Sequence, residues 1–282
     1  MKIALGTVQF GIAYGISNSI GLPTKSEVEN ILSLAYDNGI DLLDTAKGYG
    51  TAEESIGSFK DFSFKIVSKF SKAEDCRALL VQINESLNKL KLYNIYGYLA
   101  HNADELLEKP DLWNGLLQAK AKNLVNKVGF SLYTTDQLER LIDMGFIPDI
   151  VQLPFSLLDR KFEPYFYRLK EYGAEIHVRS VFLQGLYLMD IEKLPNKLLP
   201  LKNELIKLHA CCRDFGIPIA ALALNFVAQN TYVDKVIIGV DSRDQLQQNL
   251  VFSNSFNIPP ELFDIISKIN VREKELLNPA NW

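Results

Sequence analysis

Short runs of consecutive apolar residues alternate along this chain with longer segments whose apolar residues recur every three or four positions. The first kind reads as strands buried on both faces, the second as amphipathic helices. Ile3 to Thr7 is the first run, and Gly11, Gly15 and Gly21 mark a loop after it that closes at Pro23. Thr24 or Ser26 caps a helix carrying Val28, Ile31, Leu32, Leu34 and Ala35, which Asn38-Gly39 stops. The unit then repeats: strand 40–44 with helix 52–60, strand 65–69 with helix 74–92, strand 95–101 with helix 111–123, strand 127–131 with helix 134–144, strand 149–152 with helix 160–172, and strand 175–179. An insertion and helices 201–215 and 218–230 precede strand 235–239, and helices 242–251 and 259–270 close the chain. Eight apolar strands with crossover helices and no internal boundary predict one (β/α)8 TIM barrel with extra C-terminal helices, a single domain over residues 1–282, rather than two doubly wound domains.

Composition narrows the function classes. With 48% hydrophobic and 23% charged residues, the 282-residue chain has ample core and no disordered or low-complexity stretch. Its net charge of −4 and scattered Lys and Arg give no footprint for nucleic acid or an anionic membrane. Three cysteines, two of them the adjacent Cys211 and Cys212, show no metal-ligand spacing and read as reduced thiols. Met1 leads directly into Lys2-Ile3-Ala4-Leu5-Gly6 without a signal-peptide core, and no apolar run reaches membrane-spanning length. A cytoplasmic protein acting on small molecules is expected, with oligomeric state undetermined.

In a barrel of this kind the active site lies at the C-terminal ends of the strands. The polar residues there are Thr7, Asp44, Lys69, His101, Ser131, Gln152, Arg179 with Ser180, and the loop after Gly239. Asp44, Lys69 and His101 end three consecutive strands, and Tyr49 lies on the Gly-rich turn that leaves the first of them. Alone, Asp44 and Tyr49 read equally well as an ordinary turn with a capping aspartate. Together the four make a chemical constellation. A tyrosine hydroxyl, with a pKa of about 10, is a poor proton donor and acceptor at neutral pH unless its anion is stabilised. A neighbouring lysine would do that, and a buried lysine needs a carboxylate such as Asp44. His101 is placed to hydrogen-bond a carbonyl oxygen.

These residues resemble the aldo/keto reductase superfamily. The hallmark Asp-Thr-Ala-x-x-Tyr-Gly stands as Asp44-Thr45-Ala46-Lys47-Gly48-Tyr49-Gly50, the strand-three lysine as Val67-Ser68-Lys69, and the strand-four histidine as Leu99-Ala100-His101. The likeness extends from Leu5-Gly6-Thr7 and Phe10-Gly11 to Ile238-Gly239 and Gln245 to Asn249. It implies an NAD(P)-dependent oxidoreductase that reduces an aldehyde, ketone or sugar carbonyl. Tyr49 would deliver the proton, Lys69 paired with Asp44 would lower its pKa, and His101 would orient the carbonyl. The cofactor site it implies has Thr7 and Asp44 at the nicotinamide ribose and Ser131 and Gln152 at the carboxamide. The segment Ser180 to Gly185, with Ser180, Phe182 and Gly185, would lie over the pyrophosphate. Gly239, Ser242, Gln245 and Asn249 would hold the adenosine half, where the helix start at Ser242 also offers backbone N–H groups to phosphate. No Gly-x-Gly-x-x-Gly follows a strand, and the family's extended binding mode needs none. NADP(H) is the expected cofactor by family habit, with NAD(H) as the alternative, and Arg243 and Lys235 are the nearby cations.

Two positions depart from the family pattern. Leu132 stands where many relatives have Asn, and Arg179 replaces the aromatic residue that stacks on the nicotinamide. Arg179 is read as a cofactor-site residue that serves either as an ion-pair partner of Asp159 or Glu175, or as a receptor for an anionic substrate group or cofactor phosphate. A barrel retaining nucleotide for regulation, and a non-redox lyase or isomerase using Lys69 as a Schiff-base amine, are the rival functions. His177 and His209 read as packed or solvent-facing histidines rather than ligands, Cys211, Cys212 and Trp113 as packing residues, and Lys47 as a solvated rim residue. Burial is expected for Tyr93, Tyr96 and Tyr98, while Tyr14, Phe155 and Tyr187 are candidates for the wall of the site.

Overall fold

A computed structural model describes residues 2–15, 18, 21–59 and 61–282. Its strands are β1 (Ile3–Gly6), β2 (Leu42–Asp44), β3 (Lys65–Phe70), β4 (Ile95–Ala100), β5 (Val125–Ser131), β6 (Ile150–Pro154), β7 (Glu175–Arg179) and β8 (Lys235–Gly239). They pair in parallel, each with the next, and β8 pairs with β1 to close the barrel. All eight expected strands are thus present and in the expected order. Helices α1 (Lys25–Asp37), α2 (Ala52–Gly57), α3 (Cys76–Leu90), α4 (Asp104–Glu108), α5 (Asp111–Ala121), α6 (Thr135–Asp143), α7 (Phe166–Glu171), α8 (Lys202–Phe215), α9 (Ile219–Ala228), α10 (Arg243–Ser255) and α11 (Pro260–Ser267) complete the chain.

The strands bury apolar side chains on both faces, which is why they read as continuous runs. Ala4, Leu42, Val67, Leu99, Ile150 and Ile237 fill the barrel interior, while a much larger core lies between strands and helices. At the N-terminal end the interior closes on charge: Lys65 and Lys235 both pair with Asp41, and Glu175 accepts hydrogen bonds from Lys127 and from Tyr96. His177 is fully buried beside Glu175, at 3.1 Å.

Local signals account for most helix ends. Thr24 accepts from the Glu27 N–H to start α1, and Thr134 with Gln137 forms a full capping box on α6. The structure differs from expectation in four places. Helix α2 stops at Gly57 rather than 60, and Lys60, like Met1, lies outside the described residues. The helix expected over 160–172 is only α7, preceded by a single 3-10 turn containing Pro164, whose missing N–H and ring disfavour a longer helix. The five-residue α4, begun by the Asn102 side chain accepting from the Asp104 N–H, is too short to leave a periodic pattern. Tyr93, expected to be buried, is 97% exposed, whereas Tyr98 is buried against Ser86. Among the described residues no single helix is long and apolar enough to cross a membrane.

Candidate active site

Strand register brings the rim residues together. Asp44 ends β2 opposite Gly6 of β1 and Val67 of β3, and its backbone carbonyl accepts from both the N–H and the hydroxyl of Thr7. The turn that follows is tied to β3, since the Thr45 and Lys47 N–H groups donate to the Val67 and Lys69 carbonyls. The His101 N–H donates to the Phe70 carbonyl, so the tip of β4 follows the tip of β3.

Lys69 is fully buried, and its ammonium donates to both Asp44 carboxylate oxygens, at 2.8 and 2.7 Å, and to the Thr45 carbonyl at 2.9 Å. All three of its protons are thereby used. The Gln152 amide adds a fourth bond to the cluster, donating to Asp44 Oδ1 at 2.7 Å. Tyr49 lies over this pair, with Lys69 Nζ 5.2 Å from its ring centroid, and meets the His101 ring edge-on at 5.4 Å. Burial lowers the Lys69 pKa, partly countered by Asp44. Burial, reinforced by the Lys69 charge, pushes the His101 imidazole down to about 4, so the ring is neutral near pH 7. The expected lowering of the Tyr49 pKa by Lys69 is not met. Burial raises it, the Asp44 charge adds to the rise, and Arg179 is the cation that pulls it down. Lys69 is committed to Asp44, and its charge is neutralised where Tyr49 would feel it.

Two glycines set the position of the Tyr49 turn. A Cβ on Gly11 would fall 1.8 Å from the Tyr49 carbonyl oxygen and 2.6 Å from the Ala52 nitrogen. One on Gly50, whose φ is +57°, would fall 2.4 Å from the Gly11 oxygen. The loop after β1 therefore packs backbone to backbone against the turn carrying the phenol.

Thr7, Asp44, Tyr49, His101, Ser131, Gln152, Arg179, Ser180, Phe182, Gly185, Gly239, Gln245 and Asn249 all line one cavity of about 870 Å³ at the C-terminal end of the barrel. Lys69 stands behind its wall. Ser242 is not on the cavity; its hydroxyl caps α10 by accepting from the Gln245 N–H. The Arg243 N–H is taken by the Glu27 carboxylate at 2.6 Å, so two of the donors expected to be free at this helix start are already engaged. Lys235 begins β8 at the opposite end of the barrel and pairs with Asp41, well away from this stretch.

Arg179 makes neither of the expected ion pairs. Asp159 pairs with Lys161, and Glu175 with Lys127. The Arg179 guanidinium lies over the Tyr133 ring at 4.4 Å and donates to the Leu132 carbonyl at 2.9 Å and the Ser180 hydroxyl at 3.3 Å. The Leu132 side chain is buried in the core. Phe155 and Tyr187 are also core residues, the latter bonded to Ser156 and to the Leu158 N–H, whereas Tyr14 does face the cavity. Lys47 pairs with Glu85 at the rim. Sequence reasoning missed Gln9 and Tyr133, both on the wall, while Gln184, also there, lies inside the segment 180–185 expected over the pyrophosphate. Gln9 follows Thr7 by two residues, a proximity that could have flagged it.

Comparison with known proteins gives the family and the fold. The model of the aldo/keto reductase family matches residues 2–271. An aldo-keto reductase of Mycobacterium tuberculosis is 29% identical over 142 residues, covering 45% of this chain and 48% of the relative, so that match spans about half of the relative's length. A D-threo-aldose 1-dehydrogenase of a Pseudomonas species is 23% identical over 312 residues, covering 93% of each. Among solved structures, an aldo-keto reductase of Bacillus halodurans in its holo form superposes with a TM-score of 0.77 at 19% identity, covering 95% of this chain and 92% of that one. The glycerol dehydrogenase of Gluconobacter oxydans gives 0.76 at 17% identity, covering 95% and 90%. These last two are likenesses of fold. With the family model matched over almost the whole chain, the chain belongs to the aldo/keto reductase family.

Proposed function

We infer that this protein is a nicotinamide-dependent carbonyl reductase acting on an aldehyde, ketone or sugar at the Tyr49–His101 end of the cavity. The observation that carries the reading is the buried Asp44–Lys69 pair beneath Tyr49, with His101 at its edge. A charge pair this deeply buried is costly unless every donor and acceptor is satisfied, and here Lys69 has three acceptors. It is a rigid floor under a phenol.

The residues fit an extended nicotinamide dinucleotide, the cofactor that the family generally uses. The cavity has the volume of a cofactor pocket. Gln9, on its wall, is buried with its Oε1 unpartnered. Gly239 presents bare backbone there, since a Cβ would fall 2.5 Å from the Gln9 amide. Thr7, Asp44, Ser131 and Gln152 would hold the nicotinamide end, Ser180, Phe182 and Gly185 the pyrophosphate, and Gly239, Gln245 and Asn249 the adenosine. Near that last stretch two carboxylates stand: Glu27 accepts from the Arg243 backbone N–H, and Asp241 lies on the cavity wall. Such surroundings suit a free ribose hydroxyl better than a 2′-phosphate, so NAD(H) fits better than the NADP(H) expected from family habit.

When bound, the reduced nicotinamide supplies a hydride to the carbonyl carbon. The oxygen then gains the Tyr49 proton, and the alcohol leaves after the phenol is reprotonated from solvent. The raised Tyr49 pKa keeps that proton in place until charge develops on the carbonyl oxygen. Neutral His101 offers an N–H to the same oxygen without bringing a second cation beside Arg179. A Schiff-base role for Lys69 is disfavoured by its burial and its fully committed protons. Titration with NADH and NADPH, followed by a carbonyl panel read by nicotinamide absorbance, tests the reading. Saturable nucleotide binding with turnover supports it; binding of neither nucleotide overturns it, and tight binding without turnover points to the regulatory barrel.

A further inference from the structure

We propose that Arg179 makes this site select small carbonyl substrates that carry an anionic group, a carboxylate or a phosphate. The proposal rests on the reading of the Tyr49–His101 end as the place where the carbonyl is reduced, and it names the substrate class for that place.

The argument is one of unbalanced donors. Two carboxylates line the cavity, and neither offers compensating charge near Arg179. Both Asp44 carboxylate oxygens are held by Lys69, and one of them also by Gln152, while Asp241 accepts from Asn18 beyond Gly239. Among the described residues no carboxylate pairs with Arg179. A guanidinium carries five N–H donors, and two of these go to Leu132 and Ser180, leaving three. Its plane is fixed by the Tyr133 ring beneath it. Tyr14, on the same wall, accepts from the Gln184 amide at 2.5 Å, so its own proton remains to be donated. The side chains available beside Tyr49 and His101 are therefore a fixed cation and phenolic donors. A neutral ligand would leave that charge unanswered in a partly desolvated cavity, whereas a carboxylate or phosphate would accept two parallel N–H bonds from it. Arg179 also lies within electrostatic reach of the reacting end, since its charge depresses the proton affinities of both Tyr49 and His101. In turnover the anionic group is unchanged; only the carbonyl gains two electrons and two protons.

The test compares isosteres. 4-Carboxybenzaldehyde is set against 4-formylbenzamide, and glyceraldehyde 3-phosphate against glyceraldehyde, so that the carboxylate and phosphate arms are read separately. In each arm kcat/KM should favour the anionic member by about 10- to 100-fold, mostly through KM. Arg179→Gln should collapse that ratio towards one, and Arg179→Lys, which keeps the charge but loses the planar fork, should leave it intermediate. Binding of the alcohols 4-carboxybenzyl alcohol and 4-carbamoylbenzyl alcohol by calorimetry, in the presence of NADH and of NADPH, reads the same preference without turnover. Equal kcat/KM and equal binding within both pairs, or a ratio that survives in Arg179→Gln, would overturn the proposal while leaving the reductase reading intact. A ratio that survives together with weakened nucleotide affinity in that variant would assign Arg179 to the cofactor phosphates instead. If none of the four carbonyls is reduced but calorimetry still shows an Arg179-dependent anion preference, the anion site stands and the reductase reading falls.

Discussion

Lys69 Nζ and Asp44 Oδ2 lie 2.7 Å apart with side chains 0% and 5% exposed, so this ion pair has essentially no solvent to fall back on. Removing one partner should therefore cost far more than removing both. Lys69→Met should destabilise the protein by about 3–5 kcal/mol in denaturant unfolding, because Asp44 is left as an uncompensated buried charge. The double variant Lys69→Met/Asp44→Asn should recover a large part of that loss, with Gln152 still able to donate to the new amide oxygen. Additive losses would show that the two side chains are independent.

Tyr49→Phe removes the proposed proton and little else, since the ring still packs over Lys69 and against His101. Steady-state kcat should fall by about 100- to 10,000-fold while the affinity for the reduced nucleotide, read by fluorescence titration, stays within about twofold. Full activity would remove Tyr49 as donor.

The His101 prediction is a matter of sign. Its folded pKa of about 4 lies below the unfolded value of 6.5. Above pH 6.5 the ring is neutral in both states and contributes no pH dependence. As pH falls from 6.5 to 4 the unfolded chain binds a proton that the folded chain refuses, and stability drops by about 3 kcal/mol in total. His101→Gln should flatten that part of the stability–pH curve. In kinetics, kcat/KM should show no ionisation attributable to His101 above about pH 5.

Gly11→Ala would drive a methyl into the Tyr49 carbonyl and the Ala52 nitrogen, both backbone atoms that cannot swing aside. Stability should fall by about 1–3 kcal/mol and kcat by about 100-fold, through displacement of the phenol. Thermal unfolding and steady-state rates measured on the same preparation separate the two effects.

The barrel was legible because parallel strands buried on both faces leave unbroken apolar runs, and the rim residues were legible because they end those runs. Asp44, Lys69 and His101 could be placed side by side before any coordinates, since consecutive strands are neighbours in a barrel. What sequence could not carry was the competition among neighbours. The Ser242 hydroxyl and the Glu27 carboxylate occupy two of the α10 donors, although Glu27 lies 216 residues away from Arg243 in the chain. Lys235 appeared close to the adenosine stretch by number, yet it sits at the other end of its strand. Arg179 lost its two anticipated partners to lysines closer to them, and Tyr49 felt burial more than it felt a lysine already bound to Asp44.

The contact between Gly11 and the Tyr49 turn contains no side chain at all. Just beyond Gly11, Ile12 and Tyr14 project into the mouth of the cavity, and both are more than a third exposed. One loop thus carries a fixed half and a variable half. Its main chain braces the phenol, while its side chains face whatever enters. Ile12 still touches the Gly50 turn, but the Tyr14 side chain reaches only across the mouth to Gln184, so residue 14 can be exchanged, by selection or by design, to meet a new ligand while the main chain keeps the phenol braced.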